Sequence, residues 1–234
     1  MNKTFIVLAN SIRSGFRCIA GRETTEQKDH LMIGPWIRPV SPQGEGEVRP
    51  QESLCADGTQ PAVLDVVRTT LVAKQDCPHQ PENYILDTSQ RWEKLRTFPR
   101  DNLSYLEEHP VNLWLSQADG HTDRIHPDEA ITSVQPFQSL YLIRPQGLKF
   151  KIWYDGVYNK KQRRAIFTYN GVEYNLAITD PTVDTKYFQP FPTLNLPPRE
   201  IAPADSTRCF IVVSLVAPFH DGYHYKLVAT ILEY

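Results

Sequence analysis

Cysteine is sparse and badly placed for cross-linking. Cys18, Cys55, Cys77 and Cys209 are scattered, and no two stand in C-x-x-C spacing. That argues against a disulfide framework and against paired zinc knuckles, and it fits a reducing compartment. Cys77-Pro-His79, with His220 and His224 far downstream, comes nearest to a metal motif but matches no usual ligand spacing, so no metal and no cofactor is expected. Long apolar runs are missing too. No stretch approaches the ~20 residues of a membrane span, and the run within Met1–Ala9 is too short for a secretory core followed by a cleavage site. The expectation is a cytoplasmic chain with no membrane partner. Nucleophile elbow, phosphate-binding loop, dinucleotide fingerprint and H-E-x-x-H are all absent, which argues against an enzyme. Charge excess is absent as well: the net charge is −2, so nucleic acid has no global attraction and any such binding must come from a local patch.

Proline, by contrast, is plentiful at 19 residues, and it punctuates short apolar runs rather than long helices. The 234 residues suit one large β domain or two smaller ones, and 41% hydrophobic content allows a real core. Residues 3–9 and Phe16–Ala20 read as strands around a turn at Ser14-Gly15, followed by a polar stretch from Gly21 to His30. Trp36-Ile37-Arg38 reads as a strand bounded by prolines that mark a sheet edge, and Ser41–Gln60 as a loop. Val63–Val72 and Tyr84–Asp87 are further strands, rich in β-branched residues. Thr88 or Ser89 as a cap before Trp92, Leu95 and Arg96, and Asp101 before Leu103 and Leu106, predict a helical segment near 88–108. Asn112–Ser116 stays open between strand and turn. A polar connector follows at 118–136, and a second strand series runs from Phe137 to Arg144 and on through Arg208–Ala217 and Tyr223–Leu232. Trp36-Ile-Arg-Pro-Val40 recurs in outline as Leu142-Ile-Arg-Pro-Gln146, which fits a duplicated small β-barrel, with Arg38 and Arg144 at matching points of the repeat. The expected class is mainly β: two small barrels in tandem, 1–117 and 137–234, with a short helical insert.

The stretch Leu148–Pro181 is both basic and aromatic. Lys149, Lys151, Lys160, Lys161, Arg163 and Arg164 face only three acids, giving a local net charge of +3. Asn170-Gly171 supplies two residues tolerant of positive φ, as a type I′ turn requires, and predicts a β-hairpin. A two-residue loop sets Tyr169 opposite Val172, Phe167 opposite Tyr174, Ala165 opposite Leu176 and Arg163 opposite Ile178. The basic run from Lys160 to Arg164 is placed in the loop entering that hairpin. Aromatics beside cations suit base stacking with phosphate contacts, so Trp153, Tyr154 and Tyr158 join the six cations, Arg38 and Arg144 as candidate nucleic-acid contacts. The competing reading makes the aromatic row a core and the charges its solvated rim.

Trp36-Ile-Arg-Pro-Val40, Pro78–Tyr84, Ser139-Leu-Tyr-Leu-Ile-Arg-Pro145, Tyr169–Pro181 and Ser214–Ala229 together give the chain a resemblance. In this order they resemble the bacterial dual OB domain family of conflict- and defence-associated proteins. The resemblance implies two OB-like barrels and a nucleic-acid-binding role in antiviral defence, as an accessory or sensor component, and it carries no catalytic motif. Beside it stand a protein-docking adaptor that meets an acidic effector surface, and a metal-dependent hydrolase using Asp180 and Asp184, or His220 and His224.

Overall fold

The computed structural model describes all residues except 14, 29, 44, 45, 115–119, 127, 128, 130–136 and 195. Ser14 of the first expected turn and most of the expected connector therefore lie outside the described residues. The chain divides into two compact units, Met1–Leu106 and Glu107–Tyr234.

In the first unit β1 (Asn2–Arg13), β2 (Phe16–Gln27), β3 (His30–Val40), β4 (Asp65–Lys74), β5 (Asn83–Leu86) and β6 (Glu93–Thr97) form one sheet in the order β1-β2-β3-β5-β4-β6. β1 also pairs with β4, so five strands close on themselves, and β3 runs parallel to β5. This is the strand path of an OB barrel. Closure is possible because β1 serves two partners: Asn2–Ile6 pair with β4 while Phe5–Arg13 pair with β2, across an irregularity between Val7 and Ala9. Phe5, Val7, Ile19, Ile37, Val67, Leu71, Leu86 and Trp92 fill the interior.

Three expectations need correction here. The polar stretch Gly21–His30 is strand, since β2 continues to Gln27 and β3 begins at His30. β3 carries Pro35 and Pro39 yet lies between β2 and β5 rather than at an edge. Of the helical segment expected near 88–108, the part around Trp92, Leu95 and Arg96 is instead strand β6 over Glu93–Thr97, while the short helix expected at Asp101 is a 3-10 helix, Arg100–Leu106, that buries Leu103 and Leu106. The spacing of Trp92, Leu95 and Arg96 mimics a helical turn, but the backbone gains a ladder with β4, and the exposed charged residues of β6 suit an edge strand.

The second unit contains β7 (Arg124–Ile125), β8 (Leu140–Ile143), β9 (Gln146–Asp155), β10 (Lys160–Tyr169), β11 (Val172–Ile178), the short helix α1 (Val183–Lys186), β12 (Arg199–Ile201), β13 (Cys209–Leu215) and β14 (His224–Glu233). The sheet order is β12-β9-β10-β11-β14-β13-β8, with β11 parallel to β14. Its two arms end on β9 and β8, which only Arg144 and Pro145 separate. β8 pairs with β13 and β9 with β10, so the two together do what β1 does alone. The second unit thus repeats the OB path, with its first strand broken at a corner and β12 added beside β9.

The hairpin register is as predicted at Tyr169–Val172, Phe167–Tyr174 and Ala165–Leu176, and Asn170 and Gly171 take φ of 46° and 80°. Those residues belong to the core with Leu148, Phe150, Ile152 and Val213, so the aromatic row of the hairpin is interior. Lys160–Arg164, expected in a loop, instead opens β10 and pairs with β9. The turn lies earlier: Asp155 accepts hydrogen bonds from the Val157 and Tyr158 amides at 3.0 and 3.2 Å, and Asn159 takes φ of 52° to bring the chain back.

Candidate nucleic-acid interface

Period-two alternation assigns each basic residue of the stretch to a face. Phe150 and Ile152 point into the barrel, so Lys149, Lys151 and Trp153 point out from β9. On β10, Ala165 and Phe167 point in, and Lys160, Gln162, Arg164 and Ile166 point out. The register then builds cross-strand rows on the outer surface: Lys149 beside Ile166 beside Asn175, Lys151 beside Arg164 beside Ala177 beside Leu227, and Trp153 beside Gln162. Lys149, Lys151 and Lys160 make no ion pair among the described residues. Arg164 is held, its guanidinium bonding Asn175 at 3.0 Å and Asp123 at 3.3 Å. Two exposed carboxylates border the rows, Glu200 opposite Lys151 on β12 and Glu173 on β11.

Lys161, Arg163 and Tyr154 fall on the other side of the sheet. Arg163 makes a bidentate ion pair with Asp184 on α1, and both Lys161 and Arg163 lie over the Phe191 ring, 5.0 and 5.4 Å from its centroid. The Tyr154 hydroxyl donates to Asn159 at 2.7 Å. Tyr158 projects from the β9–β10 turn with the Lys160 ammonium 5.3 Å from its ring.

Arg38 and Arg144 have structural work within their own units. Arg38 is buried in an ion pair with Glu82 at 3.0 Å, and its amide donates to the Glu82 carbonyl at 2.8 Å. Arg144 braces the corner between β8 and β9, its guanidinium 4.5 Å from the Phe210 ring centroid and 3.4 Å from Glu107. They are not matching points of a repeat: Arg38 lies on the third strand of its barrel and Arg144 at the break in the first strand of the other. The carboxylates of the hydrolase reading are likewise engaged. One Asp180 oxygen accepts from the Thr182 amide and hydroxyl, the other from the Ile231 amide at 2.9 Å, and Asp184 holds Arg163. Among the described residues no three His, Cys, Asp or Glu side chains gather as a metal site, and no helix is long and apolar enough to cross a membrane.

A group that sequence reasoning missed flanks the outer rows. The Lys226 amide donates to the Asp123 carbonyl while the Tyr225 carbonyl accepts from Val216, so β7 lies on the β11 side of β14. There Arg124 covers the Tyr223 ring at 5.1 Å, His126 meets Tyr223 edge-on, and the Phe219 and His220 rings lie 4.1 Å apart, tilted by 47°. Tyr225 donates to Asp221 at 2.7 Å, which raises the Tyr225 pKa and lowers that of Asp221. Within Pro218–Gly222 the sequence singles out only His220, and no sequence signal ties the segment to Arg124, about a hundred residues away. Topology alone joins them. In an OB barrel the loops after the first and fourth strands bracket the ligand surface of strands 2 and 3, and here those loops are Gly156–Asn159 and Val216–Tyr223.

No curated protein and no solved structure matches the chain. The family model described as a dual OB-containing domain matches residues 3–231. With one closed OB path in the first unit and the same path, broken once, in the second, the chain belongs to the dual OB-containing domain family.

Proposed function

We propose that the protein binds nucleic acid, without catalysis, on the outer surface of β9–β11 in the second barrel. The observation that carries this reading is the convergence of Lys149, Lys151, Lys160 and Arg164 on one face around Trp153, which is partly exposed while Trp36, Trp92 and Trp114 are buried. Ammonium groups contact phosphates without regard to sequence, and an indole face accepts any unstacked base. The tilted Phe219–His220 ring pair supplies a second aromatic group on the far flank. The family resemblance adds the setting, an accessory or sensor component of bacterial antiviral defence that acts in the cytoplasm.

The burial of three of the four tryptophans makes intrinsic fluorescence a report on Trp153. Titration with short single strands and duplexes of DNA and RNA should quench it for the form that binds, and anisotropy of labelled strands should rise in parallel. Trp153→Ala should abolish the quench and weaken binding by about 1–3 kcal/mol if a base stacks there. Absence of any anisotropy change with all four nucleic acids at low salt would refute the reading.

A further inference from the structure

The same barrel exposes a second surface made by the β9–β10 turn and the segment after α1. Leu194 lies directly against Gly156: a Cβ built there would sit 2.6 Å from Leu194 Cδ1. Val157 and Tyr158 follow Gly156 in the turn, and Leu196 stands two positions beyond Leu194. Their relative exposures are 87%, 71%, 59% for Leu194 and 56% for Leu196. Single exposed apolar residues are ordinary, but four large ones on two abutting segments form a patch that solvent disfavours.

The patch is both fixed and basic. Asp155 ties down the turn through the Val157 and Tyr158 amides and through Gln162, and Phe191 anchors the other segment beneath Lys161 and Arg163. Between residues 155–164 and 183–198 the only acids are Asp155 and Asp184, and both are engaged within the barrel, Asp184 by Arg163. Lys160 and Lys161 therefore present positive charge at the rim with no ion pair among the described residues.

We propose that this tip docks an acidic protein segment bearing apolar side chains, which pack on Val157, Tyr158, Leu194 and Leu196 while its carboxylates meet Lys160 and Lys161. An apolar centre with a polar rim is the usual anatomy of a recognition site. The inference does not rest on nucleic-acid binding, which uses the outer rows of Lys149, Lys151 and Trp153; Lys160 is common to the two surfaces.

The test uses the full chain and a fluorescein-labelled peptide in which two leucines and a phenylalanine are set among glutamates. Two control peptides replace every Glu by Gln, or the three apolar residues by Ser, and phosphatidylcholine–phosphatidylglycerol vesicles serve as a competing anionic surface. The acidic apolar peptide should bind with both controls at least about tenfold weaker. Val157→Ser with Leu194→Ser, both at exposed positions, should weaken it by a similar factor while leaving the thermal melt and the Trp153 quench by nucleic acid unchanged. Equal binding of all three peptides, no loss in the double variant, no peptide binding, or association with the vesicles in place of the peptide would each overturn the proposal.

Discussion

Replacing Lys149 and Lys151 by Ala tests the outer surface through a slope rather than an affinity. Three lysines there, Lys149, Lys151 and Lys160, are free to meet phosphates, whereas Arg164 must first give up Asp123 at 3.3 Å. With three phosphates neutralised on a single strand, log K should fall with log salt at a slope of about −2, so affinity drops roughly 20-fold between 50 and 200 mM salt. The double variant keeps one such lysine, its slope should be near −0.7, and the same change in salt should cost it only roughly threefold. Anisotropy over a salt series at fixed pH measures both. Lys74→Ala, on β4 of the first barrel, provides the control and should leave the slope unaltered. A double variant whose slope equals that of the parent would show that phosphates lie elsewhere, however much its affinity had fallen, and would remove β9 from the interface.

Three further perturbations probe the barrels themselves. Gly21→Ala should destabilise by about 1–3 kcal/mol in urea unfolding, because the new Cβ would fall 1.9 Å from the Ile6 carbonyl oxygen; an unstrained site would gain about 0.4–1 kcal/mol instead, so the sign decides. Arg38→Ala removes the cation that pairs with the buried Glu82 and should cost about 3–5 kcal/mol, whereas Arg38→Met with Glu82→Leu should recover most of that; equal losses in the two proteins would argue against the ion pair as the cause. Burial lowers the His224 pKa from 6.5, against the opposing pull of its hydrogen bond to the Val216 carbonyl. A histidine held below its unfolded pKa binds fewer protons folded than unfolded, so its contribution is complete above about pH 6.5 and is lost as pH falls below that value. Thermal melts across this range should steepen below pH 6.5, and His224→Gln should flatten that part of the profile.

The hairpin at Asn170-Gly171 was legible because a two-residue turn sets register without help from distant residues. The helical expectation at Trp92–Arg96 failed for the converse reason. Glu93–Thr97 carries no strong local preference, and its strand exists only because β4 offers an open edge. The basic run Lys160–Arg164 was misplaced by five residues' worth of turn, since Asp155 and Asn159 carry quieter turn signals than a run of charge. Tyr223-His-Tyr-Lys-Leu-Val shows a deeper limit. Alternation marks it as strand, and polarity suggests that His224 and Lys226 face water, yet both are buried and Tyr225 and Leu227 look outward. Lys226 is accommodated by the Thr122 carbonyl at 3.0 Å and by the Tyr174 ring, partners that lie far away in the chain.

Duplication of a fold need not duplicate its surface. Both units must solve the same closure problem, one strand serving two partners, and they do so differently: β1 bends through an irregularity at Val7–Ala9, whereas the second barrel breaks its strand at Arg144-Pro145 and braces the corner with Phe210, Tyr234 and Glu107. The break changes what the rest of the strand can present. Freed from pairing with β13, β9 runs straight to Asp155 with alternate residues turned to solvent, and those are Lys149, Lys151 and Trp153. In the first barrel the corresponding strands bury Ile6, Leu8, Ser11 and Ala20, and across their register Arg22 is the cation beside Ile6. Among the described residues, an interface that relies on a row of unpaired ammonium groups therefore has a place on the second barrel and none on the equivalent strands of the first, so substitutions on β1 and β2 that preserve folding should leave nucleic-acid affinity unchanged.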